Sequence, residues 1–278
     1  MFIKYIILGI IQGLTEFLPV SSSGHLVLAK IYSSLPGDMA FDVLLHLASA
    51  LAIMIYLKTD ISGLVKALFR GLPKLLRLDF AALKDDSYFI LGLYIIAASV
   101  PAGFVGIFFE NSIESFFSSD SWTAVFLIIT GFILLSSAFV KEPDLQPEPA
   151  FDPRAISLRQ AMTAGIFQAF AILPGISRSG TTITAAMWAG MSRSHAGRFS
   201  FLLGLPAILG AGILKSKAIF NVTSQLAPAY AGGALFSFVF SYAALIILFK
   251  ILKTKYFSWF SVYCWGLGLA IIIIKLIK

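Results

Sequence analysis

Residues 9–26 read Gly9-Ile10-Ile11-Gln12-Gly13-Leu14-Thr15-Glu16-Phe17-Leu18-Pro19-Val20-Ser21-Ser22-Ser23-Gly24-His25-Leu26. A second apolar stretch begins near Ser157 and breaks at Leu173-Pro174-Gly175-Ile176-Ser177-Arg178-Ser179-Gly180-Thr181. Each is an apolar run interrupted by Pro, Gly and Ser. Proline removes a backbone donor and glycine loosens the chain, so a helix ends there. In lipid such irregular backbone survives only where protein buries it or water reaches it. Both stretches are therefore expected to form re-entrant helix–loop–helix hairpins.

The rest of the chain supplies the membrane. Of 278 residues, 58% are hydrophobic and 13% charged, with a mean hydropathy of +0.89. Soluble domains carry about 25% charged residues. This composition excludes a cytosolic globular enzyme, a disordered chain and a disulfide-stapled domain. Cys264 stands alone, and no Cys/His cluster has zinc spacing. Six further stretches, at 40–58, 88–109, 122–140, 197–214, 228–250 and 256–274, are long and apolar enough to span. The N-terminal run resembles a signal peptide only superficially, because Gln12 and Glu16 lie inside it and no small-residue cleavage site follows.

The net charge of +7 is read as basic cytoplasmic loops, not as a nucleic-acid surface. Lys58, Lys66, Arg70, Lys74, Arg77 and Lys84 crowd the 58–87 segment, whereas 110–121 holds Glu110, Glu114, Asp120 and no basic residue. The first segment is then cytoplasmic and the second outside, with both termini on the outer face. Lys215, Lys217, Lys275 and Lys278 run against this assignment as a minority. The basic amphipathic stretch 61–79 is expected to lie at the membrane interface.

An offset of 156 sets Gly9-Ile10-Ile11-Gln12 over Gly165-Ile166-Phe167-Gln168 and, without a gap, pairs Ser21 with Ser177, Ser23 with Ser179 and Gly24 with Gly180. The expected fold is an all-α polytopic membrane protein built from an inverted-topology repeat. Residues 1–140 form the first repeat, 141–157 a Pro-rich cytoplasmic linker and 158–278 the second. Each half has three full spans plus one hairpin. Three is odd and a hairpin returns to its own side, so the second half must be inverted. Such repeats place a site where their broken helices meet.

Ionisable residues inside a membrane are expensive and mark function by default. The first break supplies Gln12, Glu16, Ser21, Ser22, Ser23, Gly24 and His25, with Gln12 and Glu16 on one helix face. The second supplies Ser177, Arg178, Ser179, Gly180, Thr181 and Thr182. Small residues opening a helix leave free N–H donors for phosphate, and arginine suits phosphate as a bidentate partner. His25 is a candidate nucleophile or general acid–base, Ser22 a candidate nucleophile, and Glu16 a base or, with Gln12, a holder of magnesium or calcium. Ser21, Ser23, Ser177 and Ser179 read first as helix caps. His46 reads as a core histidine, and the Arg193–His195 pair as cytoplasmic turn charge. Gly103, Gly106, Gly210 and Gly212 read as sites of close helix packing.

Gln12 through Leu26 resembles the first signature of the bacterial undecaprenyl pyrophosphate phosphatases, the bacitracin-resistance family. Pro174-Gly175-Ile176-Ser177-Arg178-Ser179-Gly180-Thr181-Thr182 resembles the second, and Phe199-Ser200-Phe201-Leu202-Leu203 through Pro206 the segment that follows it. The resemblance covers essentially the whole chain. It implies an enzyme of the bacterial inner membrane that removes the terminal phosphate of undecaprenyl pyrophosphate on the outer leaflet. The lipid carrier is thereby recycled for peptidoglycan synthesis. By the same resemblance Glu16, Ser22, His25 and Arg178 are catalytic and a divalent cation is required. The partners implied are the lipid pyrophosphate and the bilayer, with a homodimer left open.

Two positions depart from the family pattern. Gln12 stands where the family has Glu or Gln, so that helix face lacks a carboxylate pair. Arg198 stands where Glu is frequent, and the offset sets it over Asp42, which predicts an Asp42–Arg198 ion pair. The rival function is an inverted-repeat transporter or flippase for a polyprenyl phosphate. Phosphatases of the phosphatidic-acid type share a Ser-Gly-His string, but their Arg-Pro motif and second distant histidine are missing at workable spacing.

Overall fold

The computed structural model describes residues 2–33, 39–77, 79, 83–141, 151–220 and 223–277, and these contain helices but no strand. The expected breaks fall where Pro and Gly put them. Helix α1 (Phe2–Phe17) stops before Pro19, and α2 (Ser22–Ser33) restarts at the serine run. In the second stretch α8 (Leu158–Phe170) and α9 (Arg178–Trp188) flank Pro174 and Gly175. Ser157 opens α8 with a capping box to Gln160, satisfying donors that a helix start leaves unpaired. Most of the 141–157 linker, residues 142–150, lies outside the described residues.

The long apolar helices are α5 (Ser87–Phe108), α7 (Asp120–Ser136), α10 (Arg193–Leu214), α12 (Ala227–Leu252) and α13 (Phe260–Ile277). With the short 3-10 turns that extend α7 and precede α13, these five are long and apolar enough to cross a bilayer. A sixth crossing needs α3 (Met39–Tyr56), after which the chain turns by 88° into α4 (Lys58–Leu76). This is a multi-pass membrane protein. On α4, Leu68, Phe69, Leu72 and Leu76 are exposed along one face, beside Lys66, Arg70 and Lys74. That is the amphipathic character expected of the 61–79 stretch. Two short helices, α6 (Glu110–Phe117) and α11 (Ser216–Phe220), complete the set.

Helix pairing repeats itself across the two halves. Helix α1 packs along α12, and α8 along α5; α3 also packs on α12, and α10 on α5; α3 meets α10, and α7 meets α13. The closest crossings are at the glycines matched by the 156 offset. A Cβ on Gly9 would stand 2.2 Å from the Gly233 carbonyl oxygen, and one on Gly165 2.1 Å from that of Ala98. Only a residue without a side chain lets the backbones approach so closely. The glycines expected at tight packing divide instead. Gly212 meets Leu47, but a Cβ on Gly103 or Gly210 would meet nothing within 4 Å, and one on Gly106 only the tip of Ile172 at 3.9 Å.

The expected Asp42–Arg198 pair does not form. Asp42 pairs with Lys30, while Arg198 donates to Asp60 at 2.6 Å, where Tyr88 also bonds at 3.3 Å. Asp42 and Asp60 flank opposite ends of α3. At 1.5 Å per residue, Asp42 lies about 20 Å from the end of α3 beyond which Asp60 receives Arg198 of α10.

Candidate active site

Glu16 is the hub of a site made by the two breaks. It lies in the last turn of α1 and is 6% exposed. Arg178, the first residue of α9, donates from Nη2 to Glu16 Oε1 at 2.5 Å. Ser22, the first residue of α2, donates to Oε2 at 2.6 Å. Gln12 sits one helical turn before Glu16 and donates to the same oxygen at 2.9 Å. His46 of α3 places Nδ1 3.2 Å from Oε2 and 2.8 Å from Gln12 Nε2. A carboxylate this buried is tolerable because a guanidinium neutralises it and three neighbours hydrogen-bond or approach it.

The loops are locked by their own hydroxyls, and the locks are duplicated. Ser21 Oγ accepts from the Gly24 amide at 3.2 Å, and Ser177 Oγ from the Gly180 amide at 3.1 Å. Ser21 and Ser23 stand 3.3 Å apart, as do Ser177 and Ser179. Ser21 and Ser177 therefore act as caps, whereas Ser23 and Ser179 only meet their hydroxyls. Ser21 also joins the loops directly, because the Gly175 amide donates to its Oγ at 3.1 Å. Ser21 has φ +67°, a left-handed conformation that is uncommon outside glycine. On the far side Thr130 of α7 donates to the Gly175 carbonyl at 2.8 Å and accepts from the Ser177 amide at 3.1 Å.

These elements enclose a cavity of about 270 Å³. Glu16, Ser22, Ser23, His46, Ser177 and Arg178 give it a polar wall, and Val43, Ile172, Ile176 and Ile208 an apolar one. Phe117 of α6 stands at its side. A second, apolar cavity of about 350 Å³ adjoins it through Ile172 and runs between Pro101, Phe109, Phe116 and Phe170. The first suits a phosphorylated head group and the second a hydrocarbon chain.

The site residues expected from sequence divide in two. Glu16, Ser22, Ser23, Ser177 and Arg178 line the cavity, and Gln12 backs it. Ser21, Gly24, Ser179, Gly180 and Thr181 lie behind, in the first loop and the first turns of α2 and α9, where Ser179 approaches the Leu18 carbonyl at 3.5 Å. His25 does not line the cavity. Its Nδ1 is 2.8 Å from the Ser21 carbonyl and its Nε2 2.7 Å from the Tyr263 hydroxyl, with the two rings stacked. His46, expected in the core, is the imidazole that reaches the cavity. The signal was present: a histidine inside an apolar span meets the same criterion that singled out Glu16. Gly204 is the other unforeseen member. A Cβ there would fall 1.7 Å from Arg178 Nη1, so α10 leaves room for the guanidinium only by carrying glycine.

The fit of a divalent cation can be judged from the donors. No cluster of three His, Cys, Asp or Glu side chains suited to a metal occurs among the described residues. Glu16 and the buried Gln12 Oε1, which has no hydrogen-bond partner among the described residues, are the oxygens nearest to such a role, but both Glu16 oxygens already accept from Arg178, Ser22 and Gln12. A magnesium or calcium ion there would have to displace at least one of these donors and take water and phosphate oxygens to complete its shell.

The family profile described as "Bacitracin resistance protein BacA" matches residues 5–270. A protein of Methanobrevibacter smithii named undecaprenyl-diphosphatase is 38% identical over 97% of this chain and 96% of its own. One of the same name from Methanococcus vannielii is 38% identical over 96% of this chain and 98% of its own, and one from Carboxydothermus hydrogenoformans 35% identical over 97% and 96%.

Proposed function

Because this chain belongs to the BacA family of bacitracin-resistance proteins, we propose that it is a membrane phosphatase that hydrolyses undecaprenyl pyrophosphate to undecaprenyl phosphate and inorganic phosphate. The observation that carries this reading is the convergence of Arg178, Glu16 and Ser22 on one cavity from two broken helices. A cation for phosphate, a buried anion and a hydroxyl bonded to that anion are the parts a phosphoryl transfer needs.

Arg178 holds the pyrophosphate and stabilises the charge that spreads over the phosphoryl oxygens as the bridging bond breaks. Ser22 already directs its proton at Glu16 Oε2. In one course Ser22 Oγ attacks the terminal phosphorus, the bridging P–O bond breaks toward the lipid phosphate and the hydroxyl proton passes to Glu16; water then hydrolyses the phosphoserine, freeing inorganic phosphate and restoring the serine hydroxyl. In the other, Glu16 and Ser22 orient a water for the same attack. Acid quench separates the two by trapping phosphoserine or finding none. Glu16 and the Gln12 carbonyl would hold a magnesium or calcium ion, which neutralises pyrophosphate charge when bound. His25 acts through the backbone of Ser21, whose carbonyl it meets. The prenyl chain follows the apolar cavity between α5, α6 and α8.

The rest of the assignment belongs to the same reading. The chain is an inverted repeat with re-entrant hairpins, supported by the exchanged helix pairs and the twin crossings at Gly9 and Gly165. It lies in the inner membrane with both termini outside. Its cavity opens outward, on the side of the acidic segment that contributes Phe117. There it recycles the lipid carrier for cell-wall synthesis and confers bacitracin resistance.

The repeat also suits a carrier that rocks one half against the other. The reacting positions favour the enzyme. The offset sets Glu16 over Ile172, Ser22 over Arg178 and His25 over Thr181. The scaffold is duplicated and the chemistry is not. Phosphate release from a prenyl pyrophosphate in detergent tests this reading. Arg178→Ala and Ser22→Ala are expected to lose at least about a hundredfold in kcat, and His25→Ala less. A folded wild-type protein that releases no phosphate but supports counterflow in vesicles is a carrier.

A further inference from the structure

His46 faces the cavity with a ring nitrogen that the reading above leaves unused. We infer that His46 is a ligand-binding residue, donating a hydrogen bond from Nε2 to a phosphate oxygen of the lipid pyrophosphate. This rests on the phosphatase reading for the identity of the ligand. The imidazole lines the same cavity as Arg178, and 32% of its side chain is exposed.

Its other nitrogen is committed. Nδ1 lies 2.8 Å from Gln12 Nε2, which can only donate; where that bond is made, Nδ1 supplies the lone pair and the ring proton sits on Nε2. Were the ring instead protonated on both nitrogens against Glu16, Nε2 would still carry its proton. In both states Nε2 offers the cavity a donor; the neutral ring with its proton on Nδ1 would offer a lone pair instead, and the close approach of the Gln12 amide nitrogen to Nδ1 opposes it. Nε2 has no partner among the described residues. Gln12 is a rigid support for this tautomer, because it is 0% exposed and its amide is also bonded to Glu16. A phosphate drawn in by Arg178 therefore meets a second, fixed donor from α3. The other repeat has no equivalent, since the offset sets His46 over Leu202.

The test is binding of a short-chain prenyl methylenediphosphonate, which cannot be hydrolysed, to the full chain in detergent by isothermal titration calorimetry. His46→Leu is expected to weaken binding by about tenfold to a hundredfold, and His46→Gln, which keeps an N–H donor, to recover most of it. A purely structural role would lower the unfolding temperature of both variants without ranking them by donor. Equal binding by wild type and His46→Leu overturns the inference and leaves the phosphatase reading intact. A wild type that neither binds the bisphosphonate nor releases phosphate overturns both. Should His46→Leu fail to fold, the Nε2–H resonance of wild-type His46, assigned by its loss in His46→Gln, decides. It must move downfield on ligand addition, and an unmoved resonance overturns the inference.

Discussion

Arg178 and Glu16 stand 162 positions apart in the chain and meet at 2.5 Å, the one opening α9 and the other in the last turn of α1. Their ion pair closes the gap between two interrupted helices. A second tie, from the Gly175 amide to Ser21 Oγ, runs beside it. The groups proposed to react are thus assembled only when both halves of the chain are folded against each other. Neither break holds a complete site.

The pair predicts a separation of stability from activity. Arg178→Ala leaves Glu16 buried without its cation, a change that costs about 3–5 kcal/mol when one partner of a buried pair is removed. Glu16→Gln removes the matching charge. The double variant Arg178→Ala/Glu16→Gln should therefore unfold at a higher temperature in detergent than Arg178→Ala alone, and still release no phosphate. Thermal unfolding and phosphate release on the same preparations check this. A double variant no more stable than the single one would mean that the pair is solvated and contributes little to the fold.

Much of this was legible in the residues. Helix breaks follow from Pro19, Pro174 and Gly175, because those residues act locally. Glu16 and Arg178 stood out because charge at membrane depth is rare. The offset of 156 anticipated which serines would repeat each other's hydrogen bonds. His46 was legible as an ionisable group inside an apolar span but not as a neighbour of Glu16, because its partner Gln12 lies 34 positions away and no local pattern links them. The partner of Arg198 was misjudged for a related reason. Matching register in two repeats says nothing about which end of α3 a side chain reaches, and Asp60 holds that end. Glycine count likewise does not tell which glycine faces a neighbour, since that depends on how each helix is rotated.

The twin crossings give a second prediction. Gly9→Ala and Gly165→Ala each drive a methyl group into a backbone carbonyl, at 2.2 and 2.1 Å. Backbone cannot step aside as a side chain can, so each should destabilise at or above the upper end of the ~1–3 kcal/mol usual for overpacking. Gly103→Ala, on α5 like the Ala98 that Gly165 approaches, meets open space and should leave the unfolding temperature unchanged or slightly raised. If all three behave alike, helix propensity rather than close approach governs these positions.

Gly204 yields the reverse pattern. The atom a new methyl group would strike is Arg178 Nη1, at 1.7 Å. That nitrogen is the far end of a flexible side chain, so Gly204→Ala can be accommodated by swinging the guanidinium aside. The contact between Arg178 and Glu16 is displaced, and stability falls by no more than the loss of that contact costs in Arg178→Ala. Misplacing a group that stabilises the transition state by about 1 Å costs on the order of a hundredfold in rate. Gly204→Ala is thus expected to unfold no lower than Arg178→Ala and to lose about a hundredfold in kcat, with KM altered less. An active Gly204→Ala enzyme would show that the guanidinium need not sit against α10, and would detach the catalytic role of Arg178 from the position it holds beside Glu16.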